Sequence, residues 1–196
     1  ALAKELRETL GDEMVLMHDP VQQYSVDDAI KVGRRLWDLD YLWIEEPLQE
    51  WDMIGLKKLS DAIELPVLAL ESNLGHPYMA VPYLQSDAID MVRNVAMGIT
   101  GQMKLANLAE MFGKTAHGGH THVIASVRND DWYEHHARNA FKRGDNEARR
   151  PLSLVEGQLI RETFEVRDGY MYVSQEPGLG REINWERIEA KTIATI

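Results

Sequence analysis

The sequence contains no cysteine among its 196 residues. Without thiols the chain can form neither disulfide bonds nor thiolate metal sites, so any metal ion must be held by oxygen atoms or imidazole nitrogens. Basic residues are also few, because 21 lysines and arginines face 32 acidic residues and give a formal net charge of −11. This charge repels phosphate backbones and anionic lipid surfaces. It therefore argues against nucleic acid or a membrane as a partner.

Long apolar runs are missing as well. None approaches the roughly 20 residues that span a bilayer, and the first residues, ALAKELRETLGD, lack the layout of a secretory signal. The start at Ala1, already inside a helical pattern, indicates a fragment or a processed chain. With 44% hydrophobic residues the chain can still bury a substantial core. We expect a soluble globular protein, and the lack of cysteine fits a cytoplasmic location.

From residue 14 onward, short β-type runs alternate with amphipathic stretches, which is typical of βα units on a parallel sheet. The predicted strands are MVLMHD, YLWIEEP, LPVLALE, AIDMVR and KTAH. Ser25 is a predicted N-cap for a helix that runs to Arg35. Further helices are predicted over 52–63, more weakly over 76–84, and over 100–112, where Gly113 follows the helix. The pattern predicts an α/β protein of the TIM-barrel type.

The predicted barrel is shorter than a complete one. About 150 residues carry the βα pattern, whereas eight units usually need about 250, so we expect a (β/α) barrel that is incomplete at its N-terminus. Residues 1–150 are the predicted barrel portion, and residues 151–196 are a C-terminal tail. Within the tail, Asp168-Gly169 between alternating residues predicts an antiparallel hairpin.

Acidic residues stand at the ends of three successive predicted strands. Asp19, Glu45 and Glu71 are separated by equal spacings of 26 residues. In a parallel barrel the carboxyl ends of the strands meet on one face, so these side chains would share one volume. Clustered carboxylates repel one another unless a cation neutralises them, and oxygen ligands suit Mg²⁺, with Mn²⁺ as a substitute. Any one of these acids alone could be a solvated loop residue, but the equal spacing favours a metal site.

The segments VLMHDP, WIEEP and LALES, at this spacing, resemble the metal-binding strands of the mandelate racemase and muconate lactonizing enzyme branch of the enolase superfamily. GITGQMKLANLAEMFG and EPGLGREINW are similar to a helix and the C-terminal strand of that family. The resemblance implies Mg²⁺ bound by Asp19, Glu45 and Glu71, with Glu46 making a supporting polar contact. It also implies removal of the proton next to a substrate carboxylate, which leaves an enediolate stabilised by the metal.

The resemblance further implies a catalytic base, which in this family is a lysine on an early strand or a histidine at the end of the seventh strand. AHGGHTH offers His117 as the first candidate, His120 as the second and His122 as a third, with an ordinary loop histidine as the alternative for each. Asn94 stands where the family has an aspartate that orients the histidine. Glu134 resembles an acid that hydrogen-bonds the substrate carboxylate, and a surface helix acid is its alternative.

The leading functional hypothesis is a Mg²⁺-dependent lyase that dehydrates a sugar acid, because HDP and HGG are similar to acid-sugar dehydratase members of the family. A racemase or cycloisomerase of the same superfamily shares the intermediate, although a two-base racemase needs bases on both faces of the carbon. A non-catalytic, diverged barrel is the third alternative. The resemblance also implies an N-terminal lid domain, and we expect the hairpin of the tail to pack on the barrel or on this lid domain. A homo-oligomer is common for such barrels, and nothing in the sequence sets its symmetry.

Overall fold

The structure is a computed structural model that describes residues 1–72, 76–95, 98–134, 160–162 and 165–193. The chain divides into two compact units, residues 1–132 and residues 133–196. The predicted boundary at residue 150 lies outside the described residues. Within those described ranges, no helix has the length and apolar character that a membrane crossing requires.

The first unit is built on a parallel sheet of five strands in the order β1-β2-β3-β4-β5. Each strand pairs with the one before it in the chain, as in a barrel, and the order does not reverse as it does in a doubly wound sheet. The predicted α/β class with parallel strands is confirmed. The elements are α1 (Leu2–Leu10), β1 (Leu16–His18), α2 (Val26–Trp37), β2 (Tyr41–Glu45), α3 (Met53–Ala62), β3 (Val67–Ala69), a 3₁₀ turn (Pro77–Ala80), α4 (Val81–Gln85), β4 (Met91–Arg93), α5 (Gly98–Met111), β5 (Thr115–His117) and α6 (Thr121–Ile124).

Side-chain caps fix where the helices between the strands begin. Ser25 Oγ accepts a hydrogen bond from the Asp28 N–H at 3.3 Å and donates one to the Asp28 carboxylate at 2.8 Å, as predicted for an N-cap. The Asp52 carboxylate caps α3 by accepting from the Gly55 N–H at 2.8 Å. These caps satisfy backbone donors that a helix cannot pair internally.

The core lies between the sheet and the helices that connect its strands. Strand residues Ile44, Val67 and Val92 are fully buried, and they pack in the same cluster as helix residues such as Leu56 and Leu105. Because this packing holds the connecting helices against the sheet, the carboxyl end of each strand has a defined position. The candidate functional residues lie at that edge of the sheet.

Arg7, a buried arginine, attaches the first helix to the sheet. Its guanidinium donates hydrogen bonds to the carbonyl oxygens of Leu39, Gly11, Met14 and Asp40 at 2.9, 2.9, 2.6 and 2.7 Å. The side chain is only 8% exposed. The leucines of α1, in contrast, are largely exposed: Leu2, Leu6 and Leu10. Polar contacts by Arg7 therefore hold this helix in place, together with Ala3, which packs against the core and whose carbonyl oxygen accepts from the Tyr41 hydroxyl at 3.2 Å.

The second unit contains two antiparallel strand pairs and a helix. β6 (Ile160–Glu162) pairs with β9 (Arg181–Ile183), and β7 (Glu165–Arg167) pairs with β8 (Tyr170–Tyr172). The last helix is α7 (Trp185–Lys191). Asp168 and Gly169 join β7 to β8 with φ values of 52° and 80°. Two consecutive positive φ values are the geometry of a tight hairpin turn, which Asp-Gly adopts readily.

Candidate active site

All five strands of the sheet deliver a charged or titratable side chain at or just beyond their carboxyl ends. Glu45 is the last residue of β2, Arg93 the last of β4 and His117 the last of β5. Glu71 follows β3 by two residues, and Asp19 follows β1 directly. The parallel topology alone brings these positions to one edge. The contacts between their side chains show which of these residues lie together.

Glu45 and Glu71 meet at the guanidinium of Arg93. Arg93 Nε lies 2.7 Å from Glu45 Oε1 and 2.9 Å from Glu71 Oε2. The Arg93 side chain is 3% exposed, whereas that of Glu71 is 40% exposed. Trp43 Nε1 donates to the second Glu45 oxygen, Oε2, at 3.3 Å. Because a guanidinium keeps its charge at any ordinary pH, it permanently offsets one of the two negative charges in this arrangement.

Asp19 does not join this pair. It is exposed, and its Oδ1 accepts a hydrogen bond from the Val21 N–H at 3.0 Å. Over the ranges that the structure describes, no three acidic or histidine side chains lie close enough together to hold a metal ion. Glu45 and Glu71 nevertheless offer the oxygen ligands that Mg²⁺ prefers. They already share one cationic group, the guanidinium of Arg93, which stands in for a metal ion. The three carboxylates are therefore of the right chemical type for Mg²⁺, and binding of one ion by Asp19, Glu45 and Glu71 together stays a prediction.

A buried acid pair lies beside this cluster. Glu46, which has a φ of 40°, is hydrogen-bonded to the fully buried Glu50. Burial, the contact with Glu50 and the charges of Glu71 and Asp19 raise the pKa of Glu46 to about 8. Glu50 is itself held by the Ser72 N–H, which donates to Glu50 Oε2 at 2.8 Å. Glu46 therefore holds its proton more readily than an ordinary carboxyl group, which lowers the negative charge next to Glu45.

His117 is buried at 5% exposure, and its ring lies against Trp43. The ring centroids are 4.7 Å apart with an interplanar angle of 52°. Trp132 packs edge-on against Trp43, with ring centroids 6.2 Å apart. Trp43 thus touches both Glu45 and His117. It fixes the candidate base next to the carboxylate pair. No motif or spacing in the sequence singles out this tryptophan.

Asn94 is fully buried, and its backbone N–H donates to the His117 carbonyl oxygen at 2.7 Å. Its side-chain amide makes no hydrogen bond within the described residues. The structure therefore places Asn94 beside His117 through the strand pairing. The predicted orienting contact between the two side chains is not part of this arrangement.

The other histidines have mainly structural contacts. His120 Nδ1 caps α6 by accepting from the His122 N–H at 3.3 Å, and the His120 N–H donates to Gln102 Oε1 at 2.8 Å. The rings of His120 and His122 stack with centroids 5.3 Å apart. His18 bonds the Tyr24 hydroxyl at 2.9 Å, and burial lowers its pKa. Glu134 is exposed and belongs to the second unit.

Asp130 is a buried acid that the sequence did not point to. It is 3% exposed, and burial raises its pKa to about 7. It lies near Gly119, where a Cβ atom would be 3.5 Å from Asp130 Oδ2 and 3.2 Å from Asn94 Nδ2. No periodic pattern marks Asp130. Arg93, however, carries a signal, since it ends the strand between Glu71 and His117 at spacings of 22 and 24 residues.

Consecutive parallel strands with acids, an arginine and a histidine at their carboxyl ends are typical of barrel-type α/β enzymes, which place their chemistry at this edge. The class can be stated more closely. Residues 1–187 match the family described as enolase C-terminal domain-like, so the chain belongs to that family. The predicted resemblance to the enolase superfamily is confirmed.

Individual relatives show which activities occur among the proteins that this chain resembles. The chain is 32% identical over 186 residues to L-talarate/galactarate dehydratase of Salmonella typhimurium, an alignment that covers 89% of this chain and 42% of the relative. It is 28% identical to arabinonate dehydratase of Saccharolobus solfataricus, covering 92% and 48%. The crystal structure of D-glucarate dehydratase from Agrobacterium tumefaciens complexed with magnesium matches with a TM-score of 0.78 and 31% identity, covering 96% of this chain and 49% of that one. The chain thus spans about half the length of these relatives.

Proposed function

We propose that this chain carries part of the active site of a Mg²⁺-dependent lyase that dehydrates a sugar acid. The observation that supports it best is the pair of carboxylates, Glu45 and Glu71, that share one cation at the carboxyl ends of neighbouring strands. Three dehydratases of sugar acids are among the relatives, and one was crystallised with magnesium. The particular acid is set by contacts that this unit alone does not define.

In this proposal Glu45 and Glu71, together with Asp19, would hold Mg²⁺, and Mn²⁺ would substitute. The bound ion supplies positive charge where negative charge develops on the substrate carboxylate as the neighbouring carbon loses its proton. Trp43 holds one Glu45 oxygen and so limits how that carboxylate can rotate.

His117 is the proposed base, and His120 is the second candidate. His117 would take the proton from the carbon next to the carboxylate, breaking the C–H bond. The electron pair left on that carbon then forms a C=C bond as the C–O bond of the β-hydroxyl breaks, and the protonated His117 returns the proton to the departing oxygen, so that water leaves. The resulting enol rearranges to a 2-keto acid. Packing against Trp43 would keep the imidazole in place through both proton transfers.

The test is a product assay on the protein with Mg²⁺ and a panel of aldonic and aldaric acids. We expect a 2-keto acid from at least one of them. His117→Asn should lower kcat by about 10²- to 10⁴-fold, the usual contribution of a positioned base. His76→Asn is the matched control, because His76 is an exposed histidine that caps the Tyr78 N–H and asparagine can do the same.

Three outcomes would contradict the proposal in different ways. Formation of 2-keto acid by His117→Asn at the normal rate would place the base elsewhere, with His120→Asn as the next variant. Inversion of the substrate without 2-keto acid would identify a racemase or cycloisomerase. If none of the acids reacts and none exchanges its proton with deuterated solvent, the chain is a non-catalytic member of the family.

A further inference from the structure

Arg93 occupies the position between Glu45 and Glu71 that the proposed metal ion requires. We infer that Arg93 is a built-in counter-cation, which offsets part of the negative charge of the two carboxylates in the metal-free protein and must be displaced when a divalent ion binds. This inference rests on the proposed function, because it concerns the same two carboxylates. It adds an autoinhibitory contact to that site, in which the protein's own cation competes with the metal.

The contacts of Arg93 support a fixed position for its guanidinium. Its Nε is within hydrogen-bond distance of one oxygen of each acid, at 2.7 and 2.9 Å, and its side chain is 97% buried. The backbone of the loop after β5 leaves room for the same group. Gly118 has a φ of +85°, and a Cβ atom there would lie 2.0 Å from Arg93 Nη1. A side chain at position 118 would therefore collide with the guanidinium, which glycine avoids.

Arg93 and a metal ion would compete for the same carboxylate oxygens and for the space between them. Glu45 has two oxygens, and Arg93 holds one while the Trp43 indole N–H holds the other. Mg²⁺ requires oxygen ligands at about 2.0–2.1 Å with near-octahedral geometry, and an ion bound to both acids would need the space between Glu45 Oε1 and Glu71 Oε2 that Arg93 Nε fills. Arginine cannot relieve the repulsion by losing its proton. The guanidinium has to leave the carboxylates before a divalent cation can bind both.

Glu71 indicates where the exchange begins. Its side chain is 40% exposed, in contrast to 11% for Glu45. A hydrated ion can reach Glu71 from solvent first and then replace Arg93 at the buried Glu45. A purely structural ion pair would show no such response, because neither of its partners would change when metal is added.

The test compares Mn²⁺ binding, measured by electron paramagnetic resonance, in the unchanged protein and in Arg93→Met. Methionine removes the charge and keeps much of the apolar length. We expect Mn²⁺ to bind Arg93→Met at least about tenfold more tightly, because a like charge next to the ion is gone, and Mg²⁺ should displace it. Adding Glu45→Gln to Arg93→Met should abolish the gain, since the tighter binding depends on that carboxylate.

Lys114→Met is the matched control. Lys114 also pairs with two carboxylates, Asp87 at 3.1 Å and Asp90 at 3.4 Å, but it does so where β4 begins rather than where it ends. Removing this lysine changes the net charge by the same amount as Arg93→Met. An equal gain in Mn²⁺ affinity in both variants would show a general charge effect and would overturn the inference.

A second measurement uses the unchanged protein, in case Arg93→Met does not fold. The Arg93 Nε–H should be protected from exchange with solvent in the metal-free protein, and nuclear magnetic resonance should show that this protection is lost as Mg²⁺ is added. If metal binds while the Nε–H stays protected, the inference is wrong and the proposed function is unaffected. If neither the unchanged protein nor Arg93→Met binds metal, both the inference and the proposed metal site are wrong.

Discussion

At the scale of single residues, Trp43 links the proposed metal ligand Glu45 to the proposed base His117. Its indole N–H donates to Glu45, and its ring lies against His117. It is 1% exposed, so its indole N–H has little access to water as an alternative partner. A change at this position should therefore alter stability and activity together.

Trp43→Phe tests this link. Phenylalanine keeps most of the apolar packing but removes the donor to Glu45, so we expect the free energy of unfolding to fall by about 1–3 kcal/mol. We also expect kcat for 2-keto acid formation to fall, because Glu45 and the His117 ring lose a common support. Trp37→Phe is the control, since Trp37 is 51% exposed. Denaturant unfolding and the product assay measure both effects, and equal losses in the two variants would contradict this role.

The strand-end acids could be predicted from sequence because their spacing follows from the length of a βα unit. The partner of each acid could not, since it depends on side chains that approach from other strands. Arg93 is the clearest case: it lies 22 residues beyond Glu71 in the chain, yet it determines the state of both Glu45 and Glu71. Asp130 was missed for a related reason. Nothing in its neighbours in sequence shows that it becomes buried.

At the scale of elements, the helices were predicted well where caps and periodicity agree, as for α2 with Ser25. α1 was also predicted as a helix, but hydrophobic periodicity does not predict which contacts attach this helix to the sheet. The structure shows an attachment through Arg7, which is bonded to four carbonyl oxygens. Two of these acceptors, Leu39 and Asp40, belong to the segment that enters β2, so the position of the strand that carries Glu45 depends on this arginine.

Arg7→Met should cost about 3 kcal/mol in the free energy of unfolding, because it removes the four hydrogen bonds that a buried, charged guanidinium donates. Arg35→Met is the matched control. Arg35 forms only a surface ion pair with Asp38 at 3.5 Å, with side-chain exposures of 84% and 62%. Such a pair contributes about 0–1 kcal/mol. Thermal or denaturant unfolding separates the two variants, and a small effect of Arg7→Met would show that α1 is held by other contacts.

At the scale of the whole molecule, two buried acids link stability to pH in an unusual direction. The pKa of Glu46 is raised to about 8 and that of Asp130 to about 7, in both cases mainly by burial. In the unfolded chain these groups have pKa values of 4.5 and 3.8. The folded state therefore binds more protons than the unfolded state between these limits. The stability that the two groups contribute is complete below their unfolded pKa values and is lost as pH rises through the folded ones.

Asp130→Asn isolates one of these contributions, because asparagine keeps the shape and cannot ionise. In the unchanged protein the free energy of unfolding should fall from about pH 4 to pH 7, and Asp130 should account for up to about 4 kcal/mol of that fall. The variant should lose this part of the slope and be the more stable protein at pH 8. The net charge of −11 gives a slope of the same sign, through repulsion among surface acids. Asp12→Asn therefore serves as the control, since Asp12 is exposed and this substitution also removes one ionisable carboxyl group. Parallel pH profiles for the unchanged protein and Asp130→Asn, measured by urea unfolding, would show that Asp130 is already ionised in the folded state at neutral pH.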